Sequence, residues 1–198
     1  MSRLRSPFVW FIILLLFIAV FTFFGPKEKS LGENVRIVYL HGAWVLTAQV
    51  IIVAAAVIGL AGLLTRRESA HRWSQALGRV GIVFWVTYLP LSLWAMQANW
   101  NGLFFSEPRF RVTVIFAIAG VLLQIGLALI GRLPWTSLAN MVYAISLNFV
   151  LVRTGNVLHP PPSPIFSSGN LKIEVYYVVL ILLTLLAAWQ LTRWWMRK

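Results

Sequence analysis

The chain has 198 residues, 60% hydrophobic and 11% charged, with a net charge of +12 and no cysteine. Soluble domains are about 45–50% apolar and about 25% charged, so this composition points to an integral membrane protein with the lipid bilayer as its first partner. Disulfides, thiolate catalysis and cysteine-ligated metals are excluded. The basic residues fall at the ends of apolar runs, which argues against a nucleic-acid partner.

A bilayer-spanning helix needs about 20 apolar residues. In chain order the candidate spans are 8–24, 38–64, 80–96, 112–130, 133–152 and 173–192. The first follows the basic start Met1-Ser2-Arg3-Leu4-Arg5 and ends in Phe23-Phe24-Gly25-Pro26 without a small-x-small cleavage site, so an uncleaved helix is expected. The second is long enough to tilt or to project from the hydrocarbon. Charged and turn-forming residues separate the spans at Gly25-Pro26-Lys27, Arg66-Arg67-Glu68, Pro108-Arg109, Gly131-Arg132-Leu133-Pro134 and Pro160-Pro161-Pro162. No internal repeat divides them. The expected architecture is one all-α membrane domain over residues 1–198, with six transmembrane helices.

Loop charges set the expected orientation. With a cytoplasmic N-terminus, ten basic residues lie inside, among them Arg66, Arg67, Arg193, Arg197 and Lys198, and seven lie outside. That bias predicts that both termini are cytoplasmic. His41, the connection after the third span and His159 then share the outer face, and His71 falls in a solvated basic loop inside, where no function is expected of it.

His41 lies at the outer start of the second span, where removal from water favours the neutral imidazole that ligates metals. Capping a helix or binding a headgroup is the plainer role. His159 opens His159-Pro160-Pro161-Pro162, a stiff polyproline path that restricts the imidazole, or a rigid linker that merely exposes it. Between them Trp94, Trp100, Phe104 and Phe105 form an aromatic patch. The spacing of four from Trp100 to Phe104 would stack the two rings if that stretch is a short interfacial helix. Such a face suits lipid or a flat macrocycle. Arg109, Arg111 and Arg153 are candidates for carboxylate pairing, with headgroup binding as the alternative. Two imidazoles, flat aromatic rings and guanidinium groups on one face are what a metalloporphyrin site requires.

No enzyme constellation emerges: acids are few, and neither a Gly-rich phosphate loop nor a Ser/His/Asp set is visible. The spans contain Gln49, Gln124, Asn140 and Asn148 but no interior acid or lysine, which weakens an ion-coupled transporter.

Three segments carry a resemblance. Arg36-Ile37-Val38-Tyr39-Leu40-His41, the stretch from Ser92-Leu93-Trp94 to Arg109, and Asn156-Val157-Leu158-His159-Pro160-Pro161 resemble the CcmC-type haem-handling proteins of cytochrome c maturation, within the wider group that includes the CcsA and CcmF types. The resemblance implies haem b at the outer face of a prokaryotic cytoplasmic membrane, with His41 and His159 as axial ligands. It also implies that Trp94, Trp100, Phe104 and Phe105 stack on or shield the macrocycle, that Arg109 or Arg111 pairs with propionates, and that Glu107 belongs to the cofactor-binding set. Haem presentation for cytochrome c biogenesis, with a haem chaperone or other membrane subunits as partners, is the function it implies. Phe104, Phe105 and Ser106 stand where the family has further tryptophans, Glu107 stands where it has aspartate, and Gly42-Ala43-Trp44 replaces its Val-Pro after the first ligand. Those departures favour an alternative: an accessory subunit of a larger membrane complex, derived from a haem handler and without haem.

Overall fold

Apolar runs broken by charge and proline fold into six helices: α1 Pro7–Phe23, α2 Val35–Thr65, α3 Glu68–Trp100, α4 Pro108–Ile130, α5 Leu133–Arg153 and α6 Leu171–Trp195. They are seen in a computed structural model that describes residues 6–155, 165–166 and 169–198. Among the described residues there is no strand, only an isolated bridge between Glu28 and Gly32. Five helices are long and apolar enough to cross a membrane. At 17 residues α1 is at the short end of the usual range of about 17–25. The chain has an all-α membrane fold.

Prolines mark three helix starts, where their missing N–H costs nothing: Pro7, Pro108 and Pro134. Left-handed residues mark three ends: Arg66 (φ 56°), Asn101 (φ 50°) and Gly131 (φ 66°).

The largest departure from expectation is α3, which begins twelve residues before the expected 80–96 span, at Glu68 rather than residue 80. Charges made residues 68–79 look like a loop. They are helical because Glu68 occupies the first turn, where the helix dipole favours an acid, and pairs with Arg72 at 2.6 Å. His71, Ser74 and Gly78 meanwhile turn inward. His71 is therefore not in a solvated loop: it is 5% exposed, and its Nδ1 lies 2.7 Å from Ser137 Oγ of α5.

α2 and α3 form a tight central hairpin, because Gly59, Gly62 and Gly81 let the two helices approach closely, and Gly78 does the same for α3 against α5. A Cβ on Gly81 would sit 2.7 Å from Ile52 Cγ1, and one on Gly62 would sit 2.9 Å from His71 Nδ1. α5 packs on both helices of the hairpin, α4 covers α3 and α5, and α6 packs on α2 and α3. α1 leans mainly on α6, held by Phe21 stacked on Tyr176 at 4.7 Å and by the Tyr176 hydroxyl donating to Phe21 O at 3.0 Å.

The buried polar groups around Asn140 are paired across helices, which a membrane interior favours. Asn140 of α5 donates to Ser74 O (2.9 Å) and to Ser74 Oγ (3.1 Å), and accepts from Gln124 Nε2 of α4 (3.1 Å). Ser74 Oγ donates to Ala55 O of α2 at 2.8 Å. Four helices thus meet at one amide in the half of the bundle that carries both termini, the proximal half. The distal half is different: there the helices enclose a cavity.

Candidate functional site

The distal cavity has a volume of about 860 Å³ and is bounded by the starts of α2, α4 and α6 and the ends of α3 and α5. Small-molecule and cofactor sites usually occupy about 300–1,000 Å³. It is deep. Gln49 lines it, ~20 Å along α2 from Val35 at 1.5 Å per residue.

Two helical stripes make its main walls. Val38, His41, Gly42, Val45 and Gln49 face it from α2, and Trp85, Tyr88, Ser92, Met96 and Trp100 from α3. Steps of three and four keep each set on one side of its helix. Tyr88 lies beside His41, with ring centroids 4.9 Å apart and planes 33° apart. Trp85 is 1% exposed and donates its indole N–H to Thr113 O at 3.2 Å, fixing the α3 wall against the first turns of α4.

Glu107 and Arg109 stand at the start of α4. Glu107 is the N-cap, its carboxylate accepting from the Phe110 N–H. Arg109 lines the cavity, and its Nε is buried without a hydrogen-bond partner among the described residues. The Tyr39 hydroxyl on the cavity wall is in the same condition, on a side chain that is 0% exposed. Buried donors are almost always satisfied, so two orphans on one cavity mark a place for a ligand or water carrying acceptors.

The α1–α2 linker closes over part of the mouth, where Glu28, Ser30 and Leu31 line the cavity. Glu28 accepts from the Leu31 N–H (3.0 Å) and the Ser30 N–H (2.7 Å), and these bonds hold its pKa below the ordinary glutamate value. Glu33 is lowered by its hydrogen bond and ion pair with Lys27 and by the charge of Arg36. Asn34 Nδ2 donates to Ala98 O at 2.7 Å and joins the start of α2 to the end of α3.

Of the residues selected from sequence, the cavity brings together His41, Trp100, Glu107 and Arg109. Trp94 is 61% exposed on the flank of α3. Phe104 and Phe105 are exposed outside the lining, Phe105 packing edge-on against Phe110 at 6.0 Å, and Arg111 is exposed. The short interfacial helix considered for Trp100–Phe104 is absent: Asn101 ends α3 in the left-handed region, its N–H bonded to Gln97 O at 3.2 Å. Trp100 is the last residue of α3, not part of a connecting segment. His159 lies outside the described residues.

The expectations from sequence missed Tyr39, Trp85, Tyr88 and Tyr177 as cavity residues. For Trp85 and Tyr88 the signal was the helical spacing of 85, 88, 92 and 96, which is also the signature of ordinary packing. Among the described residues no group of three His, Asp or Glu side chains could hold a bare metal ion. No family model matches the chain, and no curated protein or solved structure matches it either.

Proposed function

We propose that this chain is a membrane haem-binding protein of the CcmC type, which holds haem b in the distal cavity and presents it at the outer face for cytochrome c biogenesis. The supporting observation is a deep, aromatic-walled cavity that has an imidazole in its wall and two unsatisfied donors, Arg109 Nε and Tyr39 OH. The residues present fit the group. His41 would hold the iron from the α2 wall, and His159 is the proposed second ligand. Arg109 pairs with a propionate, and Trp100 with Tyr88 flanks the ring. Trp94, Phe104 and Phe105 lie outside the cavity, so any contribution from them is to the surrounding interface. When bound, haem would supply an iron centre whose potential follows its ligands, burial and hydrogen bonding. The chain's own part is to bind, orient and exclude water. The outer-face placement rests on the charge bias of the loops.

The test is an optical spectrum of the purified protein from haem-replete cells, with haemin titration. A Soret band with sharp reduced α and β bands is expected, and should be lost in His41→Ala and in His159→Ala. Arg109→Gln should keep the band while weakening haemin affinity about tenfold, the loss of roughly 1.4 kcal/mol expected for one charge-assisted contact. A colourless protein that takes up no haemin refutes the reading. If that protein copurifies with a fixed set of membrane subunits, the accessory role replaces it.

A further inference from the structure

We infer that a strip on the outward side of α3, centred on Arg79, binds the headgroup of an anionic phospholipid in the proximal leaflet. Between residues 74 and 85 of α3 only Gln75, Arg79 and Val83 are not buried, and their steps of four set them along one side of the helix. Ile82 packs against Gly120 of α4 on one flank of this strip, and Thr87 accepts the Trp44 indole N–H of α2 at 2.9 Å on the other. The depth of Arg79 follows from its neighbour. Gly78 abuts Asn140, which stands ~10 Å along α5 from Leu133. Gln124, bonded to the same amide, stands ~9 Å before Ile130, the end of α4. The backbone of Arg79 is therefore well inside the proximal ends of both helices. Among the described residues its guanidinium has no hydrogen bond, ion pair or ring contact. A cation at that depth of a membrane helix is rare and marks a place for a partner.

The geometry of the strip selects the occupant. Side chains of a helix lean toward its N-terminus, and α3 starts at the proximal end, so the Arg79 guanidinium rises toward headgroup level and away from the bilayer centre. A lipid phosphate meets it there, whereas an acid at mid-bilayer on a partner helix does not. Gln75 lies one turn nearer the surface and adds an amide donor to the planar guanidinium fork, a set that suits phosphate oxygens. Arg72, the next residue of the strip, is already paired with Glu68 at 2.6 Å. The charge of Glu68 is thereby taken, so the strip offers nothing to a choline or ethanolamine cation. An anionic headgroup leaves no charge without a partner. The acyl chains then run along Val83 and Val86, which continue the strip toward the bilayer centre. Basic sites between membrane helices hold such headgroups. This site lies in the proximal half, apart from the distal cavity, and requires neither haem nor either of its proposed histidine ligands.

The test titrates the purified full-length protein in detergent with dioleoyl phosphatidylglycerol and, separately, with dioleoyl phosphatidylcholine, and counts bound lipid by native mass spectrometry. The wild type should bind a single phosphatidylglycerol about tenfold more tightly than phosphatidylcholine. Arg79→Gln should bring the two affinities within about twofold of each other, and Arg79→Lys, a point charge without the fork, should leave a preference of about threefold. Lys172→Gln removes the same charge from an exposed position at the distal end and should change nothing, which separates a site from bulk charge. Because Arg79 is not buried, its variants should keep the fold, and thermal unfolding in detergent alone verifies this. A preference unchanged in both Arg79 variants, or a wild type that holds the two lipids alike, overturns the site. A membrane subunit that copurifies with the wild type and is lost with Arg79→Gln, where no lipid preference exists, also overturns it and assigns the guanidinium to an acid on that partner.

Discussion

A Cβ added at Gly78 would sit 2.5 Å from Asn140 Nδ2 and 2.6 Å from its Oδ1, contacts that require the amide to move. Asn140 is 4% exposed and makes two bonds to Ser74 and one with Gln124, so moving it breaks the junction of four helices. At about 0.6 kcal/mol for each interhelical hydrogen bond in a membrane, the three together are worth about 2 kcal/mol. Alanine in place of glycine in a helix interior returns about 1 kcal/mol. Gly78→Ala should therefore destabilise the protein by about 1 kcal/mol. In an Asn140→Ala background the clash is gone and only the propensity gain remains, so the same substitution should stabilise by about 1 kcal/mol. Reversible unfolding in bicelles by steric trapping or detergent titration reads all four corners of this cycle. A coupling below about 0.5 kcal/mol, with Gly78→Ala equally harmful in both backgrounds, would show that the Asn140 junction does not set the approach of α3 to α5.

Two further outcomes follow from the polar groups. Ser137→Ala should cost about 1–3 kcal/mol, because it leaves a His71 ring nitrogen without its partner in the interior, and the same unfolding assay would expose a neutral result. Acid should loosen the α1–α2 linker: Glu28 has a lowered folded pKa, so its contribution is present above the ordinary glutamate value of about 4.3 and is lost as pH falls through the folded one. Amide exchange of Ser30 and Leu31 should accelerate in that window in the wild type, after correction for intrinsic exchange, and should already be fast in Glu28→Gln. Protection indifferent to pH would contradict this account.

Hydrophobic length was sufficient to locate all six helices, because crossing hydrocarbon forces every backbone group into internal hydrogen bonds. It failed at residues 68–79, where charge was read as loop although only one side of the helix is charged. The error displaced His71, a residue whose burial depends on Gly62 of a different helix giving it room. At the cavity the same limit applies. His41, Trp100, Glu107 and Arg109 stood out as rare residue types in an apolar chain. Tyr39, Trp85 and Tyr88 did not, since an aromatic at helical spacing looks alike whether it faces a neighbour or a void. A void depends on how several helices stand around it, a relation that no local pattern records.

The pairing of α1 with α6 also governs the order of assembly. Phe21 and Tyr176 are separated by 155 positions, so at about 5–20 residues per second the ribosome needs roughly 8–30 s between them. For that interval α1 has lipid or an insertion factor against the face that Tyr176 will cover. The α2–α3 hairpin, joined by Arg66 and Arg67 alone, is complete within roughly 3–13 s at the same rate and serves as the template on which later helices dock. Truncations that end before residue 171 should therefore release α1 first and leave that hairpin standing.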